Sequence, residues 1–136
     1  MGSFEGKTVL ITGAGRAVLS DGKCGSIGYG IATAFAKEGA NLVLTGRNVS
    51  KLESAKKELE EKYNVKVLIL QADINDKNDN EAAVCHVMDE IKKTFGRLDV
   101  LIDNAQASAS GVLLKDNTTE QLNLALYSGL YATFYY

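Results

Sequence analysis

Glycines and the start of a helix come together in residues 12–32, which read TGAGRAVLSDGKCGSIGYGIA. Glycines let a backbone turn tightly and approach a pyrophosphate closely, and the helix that begins near residues 26–28 offers free N–H groups and a positive dipole end. The stretch therefore predicts a phosphate-binding turn, with a glycine-rich loop that binds no ligand as the alternative. The residues expected at the phosphates are Gly13, Gly15, Ser26, Ile27 and Gly28.

The turn is longer than phosphate binding requires, because residues 16–25 separate its two ends. We expect these extra residues to bulge out over the edge of a bound cofactor. Arg16 and Lys23 would meet phosphate there, and a mobile loop is the alternative.

A second stretch, TGRN at residues 45–48, follows an apolar run at the place where an acidic residue would hold an adenosine ribose 2′-OH. No carboxylate is present at this place. Gly46 has no side chain and leaves room for a phosphate, and the planar guanidinium of Arg47 supplies N–H donors in a fixed geometry that suits one. This chemistry favours NADP(H) over NAD(H). An Arg47 that lies on the surface or packs over the adenine is the alternative.

The elements that must position these residues alternate between short apolar runs and amphipathic helical patterns. The predicted strands cover residues 8–12, 41–45, 66–70 and 98–102, and the predicted helices cover residues 27–37, 50–63, 80–95 and about 119 to the end. Near-continuous apolar strands between helices predict an α/β fold with a parallel sheet covered on both faces. Right-handed crossovers favour a Rossmann-like, doubly wound arrangement with strand order 3-2-1-4.

Length and composition limit the possible classes of protein. With 136 residues, we expect one dinucleotide-binding domain over residues 1–136. The net charge of -2 gives no basic face for nucleic acid, and the apolar runs are too short for a membrane span. Two cysteines predict neither a disulfide framework nor a metal site, and together with a polar first segment they indicate the cytoplasm.

Four motifs, TVLITGAGR…GSIGYGIA, ANLVLTGRN, QADIND and FGRLDVLIDNAQ, occur in an order and spacing that resembles the short-chain dehydrogenase/reductase family. The resemblance covers essentially the whole chain. It implies a Rossmann fold, a nicotinamide cofactor, and oxidoreduction of a carbonyl/alcohol pair or an activated double bond. It also implies a small-molecule carbonyl or alcohol substrate, whose identity stays open. We expect a homo-oligomer, in which the aromatic last helix would pack between subunits; a wall of the substrate pocket and an ordinary amphipathic helix are the alternatives for that helix.

The resemblance also implies roles for individual residues. Asp73, with Ile74, would sit by the adenine, although a turn-forming role is the alternative for Asp73. Asn104 and Ala105 would line the cofactor near its ribose and tie the fourth strand to its neighbours. Gly13, Gly15 and Gly28 would form the pyrophosphate turn, and Arg47 would contact the 2′-phosphate.

The sequence departs from the family pattern in ways that leave alternatives open. Gln106 replaces a glycine and places a side chain near the nicotinamide side, while Gly129 stands at the family's catalytic asparagine, with the neighbouring Ser128 as a candidate to hold a water. The tail SIGYGIA resembles the enoyl-acyl-carrier-protein reductase branch. The alternatives are therefore a non-catalytic nucleotide-binding or sensor module and an enoyl-thioester reductase.

The family's catalytic Ser and Tyr-x-x-x-Lys are not found in this sequence. We therefore expect the C-terminal half of the family fold to be absent from the chain as given. The intact protein would be an NADP(H)-dependent oxidoreductase that moves a hydride between nicotinamide and a carbonyl/alcohol pair. The chain alone would bind cofactor without turnover, with no catalytic residue of its own and no metal.

Overall fold

The computed structural model describes residues 2–23, 25–74 and 80–136. The strands are β1 (Thr8–Thr12), β2 (Asn41–Gly46), β3 (Val67–Gln71) and β4 (Val100–Ile102), and the helices are α1 (Ile27–Lys37), α2 (Val49–Tyr63), α3 (Asn80–Phe95), α4 (Thr119–Ala125) and α5 (Ala132–Tyr135). A 3₁₀ turn at Leu114–Asp116 precedes α4, and a π-helical segment at Leu126–Tyr131 joins α4 to α5. The end of the QADIND motif and Cys24 in the long turn lie outside the described residues.

The four strands form one parallel sheet in the order β3-β2-β1-β4, which confirms the predicted order. Thr12 is paired with Thr45 and Ile11 with Ile102, so the carboxyl ends of β1, β2 and β4 are nearly level. The order reverses between β1 and β4, and a crevice for a ligand lies outside such a reversal.

Both faces of the sheet are covered, which explains why the strands are apolar without alternation. All five residues of β1 are buried. Val9 and Ile11 pack in a cluster with residues of α1 and α2, whereas Leu10 packs with Val87 and Ile91 of α3. Within the described ranges, no helix combines the length and apolar character needed to cross a membrane.

Polar side chains cap the helices that follow β1 and β2. Ser26 Oγ accepts a hydrogen bond from the Tyr29 N–H at 3.4 Å and begins α1. Asn48 Oδ1 accepts from the Lys51 N–H at 3.0 Å, so α2 begins at Val49, one residue before the predicted start. These caps fix two helix N-termini next to the carboxyl edge of the sheet.

The last helix differs from the single helix that the sequence predicts. Leu126–Tyr131 takes the wider π turn, in which the Ala132 N–H donates to the Tyr127 carbonyl five residues earlier. Asn80 Nδ2 donates to the same carbonyl at 2.9 Å. Because this carbonyl is held by a side chain from α3, the helix is wound more loosely at this point.

Candidate functional site

The glycine turn after β1 is closely packed, and its glycines are needed for space. Gly13 has φ of +66°, and a Cβ on it would lie 3.0 Å from Ala105 Cα. A Cβ on Gly28 would overlap the Gly13 carbonyl oxygen and lie 2.7 Å from Asn104 Nδ2. The first turn of α1 therefore lies directly against the turn, as close approach to a pyrophosphate requires.

Thr12 and Asn104 join the carboxyl ends of β1 and β4. Thr12 Oγ1 accepts hydrogen bonds from the Asn104 and Ala105 N–H groups, both at 2.9 Å. Asn104 Nδ2 lies 2.9 Å from the Thr12 carbonyl oxygen and 3.2 Å from that of Gly13. The Asn104 amide thus holds the shape of the glycine turn.

Two adjoining depressions lie along the carboxyl edge of the sheet. The inner cleft, of about 200 Å³, is lined by Gly13, Thr45, Gly46, Arg47, Ala72, Ile74, Asn104, Ala105, Gln106 and Ala107. The outer groove, of about 600 Å³, is lined by Gly13, Gly15, Ala17, Ser26, Gly46, Arg47, Asn48 and Lys51. Most of the predicted cofactor residues are therefore brought to one continuous surface.

The outer groove has a cationic end. Arg47 and Lys51 line it, and no carboxylate is among the described residues that do so. Lys51 is the charged residue among the described groove-lining residues that sequence reasoning missed. The available signal was its position in the first turn of α2, where its backbone folds back on the glycine turn so that Lys51 O accepts from the Arg16 N–H at 3.0 Å.

The Arg16 side chain lies against α2, and Arg16 is not among the residues that line either depression. Its Nε lies 2.6 Å from Glu58 Oε2, as an ion pair outside hydrogen-bond geometry. Burial of Tyr29, followed by its hydrogen bond to Glu58, raises the pKa of that phenol to about 12. Arg16, Glu58 and Tyr29 thus fasten the start of the long turn to both α1 and α2.

The extra residues of the turn fold back on themselves. The Gly25 N–H donates to Ala17 O at 3.0 Å, and the Leu19 N–H donates to Lys23 O at 2.7 Å. Lys23 Nζ lies 3.7 Å from Asp21 Oδ2, within this excursion, and not against the groove. The hydrogen bond between Gly25 and Ala17 joins the two ends of the extra segment. The glycine turn therefore keeps its geometry despite the added length. Ile27, the first residue of α1, is 75% exposed beside it.

The loop after β3 forms the side wall of the inner cleft. Ala72 and Ile74 are buried and line the cleft, whereas Asp73 between them is exposed. Asn80 Nδ2 donates to the Ile74 carbonyl at 3.1 Å and holds this wall in place. The adenine contact of Asp73 stays a prediction.

The opposite wall runs from Asn104 to Ala107. Ser128, which is 1% exposed, accepts from the Ala107 N–H at 2.9 Å, and its Oγ lies 2.7 Å from Leu124 O. Its hydroxyl is therefore engaged by the backbone, which contradicts the idea that it holds a water in place of a missing asparagine amide. Gly129 lies next to it, in the π-helical segment. No cluster of His, Cys, Asp or Glu suited to a metal ion occurs in the part of the chain that the structure describes.

Comparison with known proteins agrees with this geometry. The family model described as short chain dehydrogenase matches residues 7–128. A 12alpha-hydroxysteroid dehydrogenase from Clostridium sp. is 54% identical over 136 residues, which are 100% of this chain and 50% of that protein. An NADP-dependent mannitol dehydrogenase from Alternaria alternata is 36% identical over 97% of this chain and 46% of its own length.

Among solved structures, L-sorbose reductase from Gluconobacter frateurii, complexed with NADPH and L-sorbose, superposes with a TM-score of 0.83 at 30% identity. The match covers 99% of this chain and 46% of that one. The chain thus spans about half the length of the relatives it matches. With a family model over most of its residues, a sheet in the expected order and a glycine turn at its switch point, the chain belongs to the short-chain dehydrogenase family.

Proposed function

We propose that the chain is the NADP(H)-binding half of an oxidoreductase that transfers a hydride between nicotinamide and a carbonyl/alcohol pair. The observation that carries the proposal is the charge of the outer groove. Arg47 directly follows β2, Lys51 lies in the first turn of α2, and the described residues that line the groove include no carboxylate. An NAD-binding site would be expected to offer an acidic residue to the ribose 2′-OH at this place.

The donors around the turn suit the rest of a dinucleotide. Gly13, Gly15 and the capped N-terminus of α1 would hold the pyrophosphate, since backbone N–H groups and a helix dipole favour an anion. Ala72 and Ile74 would give the adenine an apolar wall. When bound, the nicotinamide supplies the hydride, and the residues of this chain bind and orient it.

Similar proteins support a nicotinamide cofactor with a 2′-phosphate. The relative from Alternaria alternata is called NADP-dependent, and the L-sorbose reductase is complexed with NADPH. The 54% identity to a 12alpha-hydroxysteroid dehydrogenase favours a hydroxysteroid as the substrate of the whole protein. Oxidation of a 12α-hydroxysteroid by the intact enzyme would test this second proposal, and activity on sugar alcohols alone would contradict it.

The proposed setting is a cytoplasmic homo-oligomer. Leu130 and Phe134 near the end of the chain are 62% and 80% exposed, and exposed apolar side chains on one segment favour association between copies. Sedimentation of the chain at several concentrations would reveal that association.

Binding of NADPH and NADH to the chain, measured by calorimetry, tests the main proposal. We expect NADPH to bind more tightly and Arg47→Ala to lose roughly 10- to 150-fold in NADPH affinity while NADH affinity is unchanged, because charge-assisted hydrogen bonds contribute about 1.5–3 kcal/mol. Lys51→Ala should reduce the preference for NADPH in the same direction.

Lys56→Ala is the matched control, because Lys56 lies on the same helix with its Nζ 3.8 Å from Glu60. Equal affinities of the wild type for both cofactors would contradict the proposal.

A further inference from the structure

Asn80 joins one wall of the inner cleft to the π-helical segment Leu126–Tyr131. Its Nδ2 donates to the Ile74 carbonyl at 3.1 Å and to the Tyr127 carbonyl at 2.9 Å. Ile74 lines the cleft, whereas Tyr127 belongs to the π-helical segment. A carboxamide carries two N–H donors on one nitrogen, so it can bridge two carbonyls, which a hydroxyl with a single proton cannot do.

Ser128 joins the opposite wall to the same segment. Its Oγ accepts from the Ala107 N–H at 2.9 Å and lies 3.1 Å from the Ala107 carbonyl oxygen. Ala107 lines the cleft, and Ser128 directly follows Tyr127 in the π-helical segment. The two walls are therefore attached to adjacent residues of one helical turn.

Neither Asn80 nor Ser128 is placed to touch a ligand. Both are 1% exposed, and neither is among the described residues that line the two depressions. Asn80 Oδ1 is buried and has no hydrogen-bond partner in the part of the chain that the structure describes, which lowers stability. The two bonds that Asn80 donates are therefore a better reason for a buried amide at this residue than a contribution to the core.

The π turn lies at the place where the two walls are attached. The Tyr127 carbonyl accepts from the Ala132 N–H, five residues later, as well as from Asn80. In a regular α-helix the N–H four residues later, that of Tyr131, would be its partner. π-helical turns are rare and occur frequently at functional sites, which favours a role in the cleft for this one.

We propose that the π-helical turn sets the width of the inner cleft, and that Asn80 and Ser128 are positioning residues for the adenine of the cofactor. The inference rests on the proposed function, in which the adenine lies against Ala72 and Ile74. Asn80 fixes the wall that carries Ile74, and Ser128 fixes the wall that carries Ala107. A cleft whose walls are fixed before the ligand arrives lowers the entropic cost of binding.

Calorimetry with NADPH and with 2′,5′-ADP, which keeps the adenosine and its 2′-phosphate, tests the inference. Asn80→Leu keeps a side chain of similar size but removes both donors. It should weaken the binding of both ligands by the same factor, about 3- to 10-fold, as expected for the loss of a neutral hydrogen bond. Unchanged affinity for 2′,5′-ADP would overturn the inference. Failure of the wild type to bind either ligand would instead overturn the proposed function.

Val87→Ala is the matched control for a loss of stability. Val87 is fully buried in the same helix as Asn80 and is not among the residues that line the inner cleft. The substitution should lower the free energy of unfolding and leave both affinities unchanged. If Val87→Ala weakened both ligands as Asn80→Leu does, the effect would come from stability alone and the inference would be overturned.

A double variant tests whether Asn80 and Ser128 act through one turn. Ser128→Ala alone should also weaken both ligands, and its addition to Asn80→Leu should have much less than the product of the two single effects. In Asn80→Leu the Ala107 N–H should exchange with solvent faster, although its acceptor is Ser128 and not Asn80. Effects that multiply in full, or unchanged exchange at Ala107, would contradict a shared anchor and overturn the inference.

Discussion

Gly28 illustrates how little space separates α1 from the turn that precedes it. A Cβ at this residue would overlap the Gly13 carbonyl and lie 2.7 Å from Asn104 Nδ2. The Gly13 carbonyl belongs to the turn and the Asn104 amide holds the shape of that turn, so neither can move without changing the phosphate site. Gly28→Ala should therefore destabilise the chain by roughly 1–3 kcal/mol, the cost of overpacking, and weaken NADPH binding. Urea unfolding and calorimetry measure the two effects.

Gly30 provides the matched control, because it lies in the same helix and a Cβ there would meet nothing within 4 Å. Gly30→Ala should stabilise the chain by about 0.5–1 kcal/mol through higher helix propensity, with no change in cofactor affinity. If both substitutions had the same effect, contact with the turn would not be the reason for glycine at residue 28.

Single residues could be predicted from sequence where their chemistry is local. The glycine pattern after β1 and the cation directly after β2 pointed to Gly13 and Arg47, and both line the depressions. Lys51 and Arg16 could not be placed in this way. Lys51 reaches the groove because α2 begins beside the glycine turn, and Arg16 is drawn to Glu58 on that helix. Both positions depend on packing between elements that are distant in sequence.

The junction between β1 and β4 depends on one hydroxyl. Thr12 Oγ1 accepts from two backbone N–H groups of the segment after β4, those of Asn104 and Ala105. Thr12→Val keeps the shape of the side chain but leaves both N–H groups without this acceptor. We expect a loss of about 2 kcal/mol in the free energy of unfolding, because part-buried donors left unpaired are costly.

Amide hydrogen exchange would show whether this loss is local to the junction. The Asn104 and Ala105 N–H groups should exchange faster in Thr12→Val, while residues of α2 keep their relative protection. Thr12→Ser retains the hydroxyl and should restore slow exchange at both amides. Unchanged exchange in Thr12→Val would show that the hydroxyl does not hold the two strands together.

Regular elements were largely predictable because their causes are short-range. Apolar runs and helical spacing gave the strands, the first three helices and the sheet order. The π-helical Leu126–Tyr131 was not predictable, since it accompanies a bond from Asn80 to Tyr127, a residue 47 positions later. The predicted β4 began two positions too early, at Leu98, because the run LDVLI is mostly apolar. Its pairing with β1 begins only at Val100.

Across the whole molecule, the site and a charged cluster occupy opposite edges of the sheet. The depressions lie at the carboxyl edge, whereas Asp99 lies at the amino edge, just before β4. Asp99 Oδ2 accepts from Arg97 Nε at 2.8 Å and from the Thr8 N–H at 2.9 Å, and Lys7 Nζ lies 3.6 Å from Oδ1. This separation allows stability and cofactor binding to be changed independently.

Asp99 should make the stability of the chain depend on pH in acid. The hydrogen bonds from Arg97 and then from the Thr8 N–H lower the pKa of Asp99 from 3.8 to about 2. A carboxyl whose pKa is lower in the folded state stabilises the fold above its unfolded pKa and loses that contribution as pH falls through its folded pKa. Asp99→Asn should therefore be less stable than the wild type at about pH 5, and this difference in the free energy of unfolding should shrink between about pH 4 and pH 2.

Urea unfolding at several pH values measures this gap in stability, with Asp89→Asn on the exposed face of α3 as the control. A gap that stays constant over this range would show that Asp99 does not stabilise the fold through its charge. A change in NADPH affinity at neutral pH would show that the two edges of the sheet are not independent.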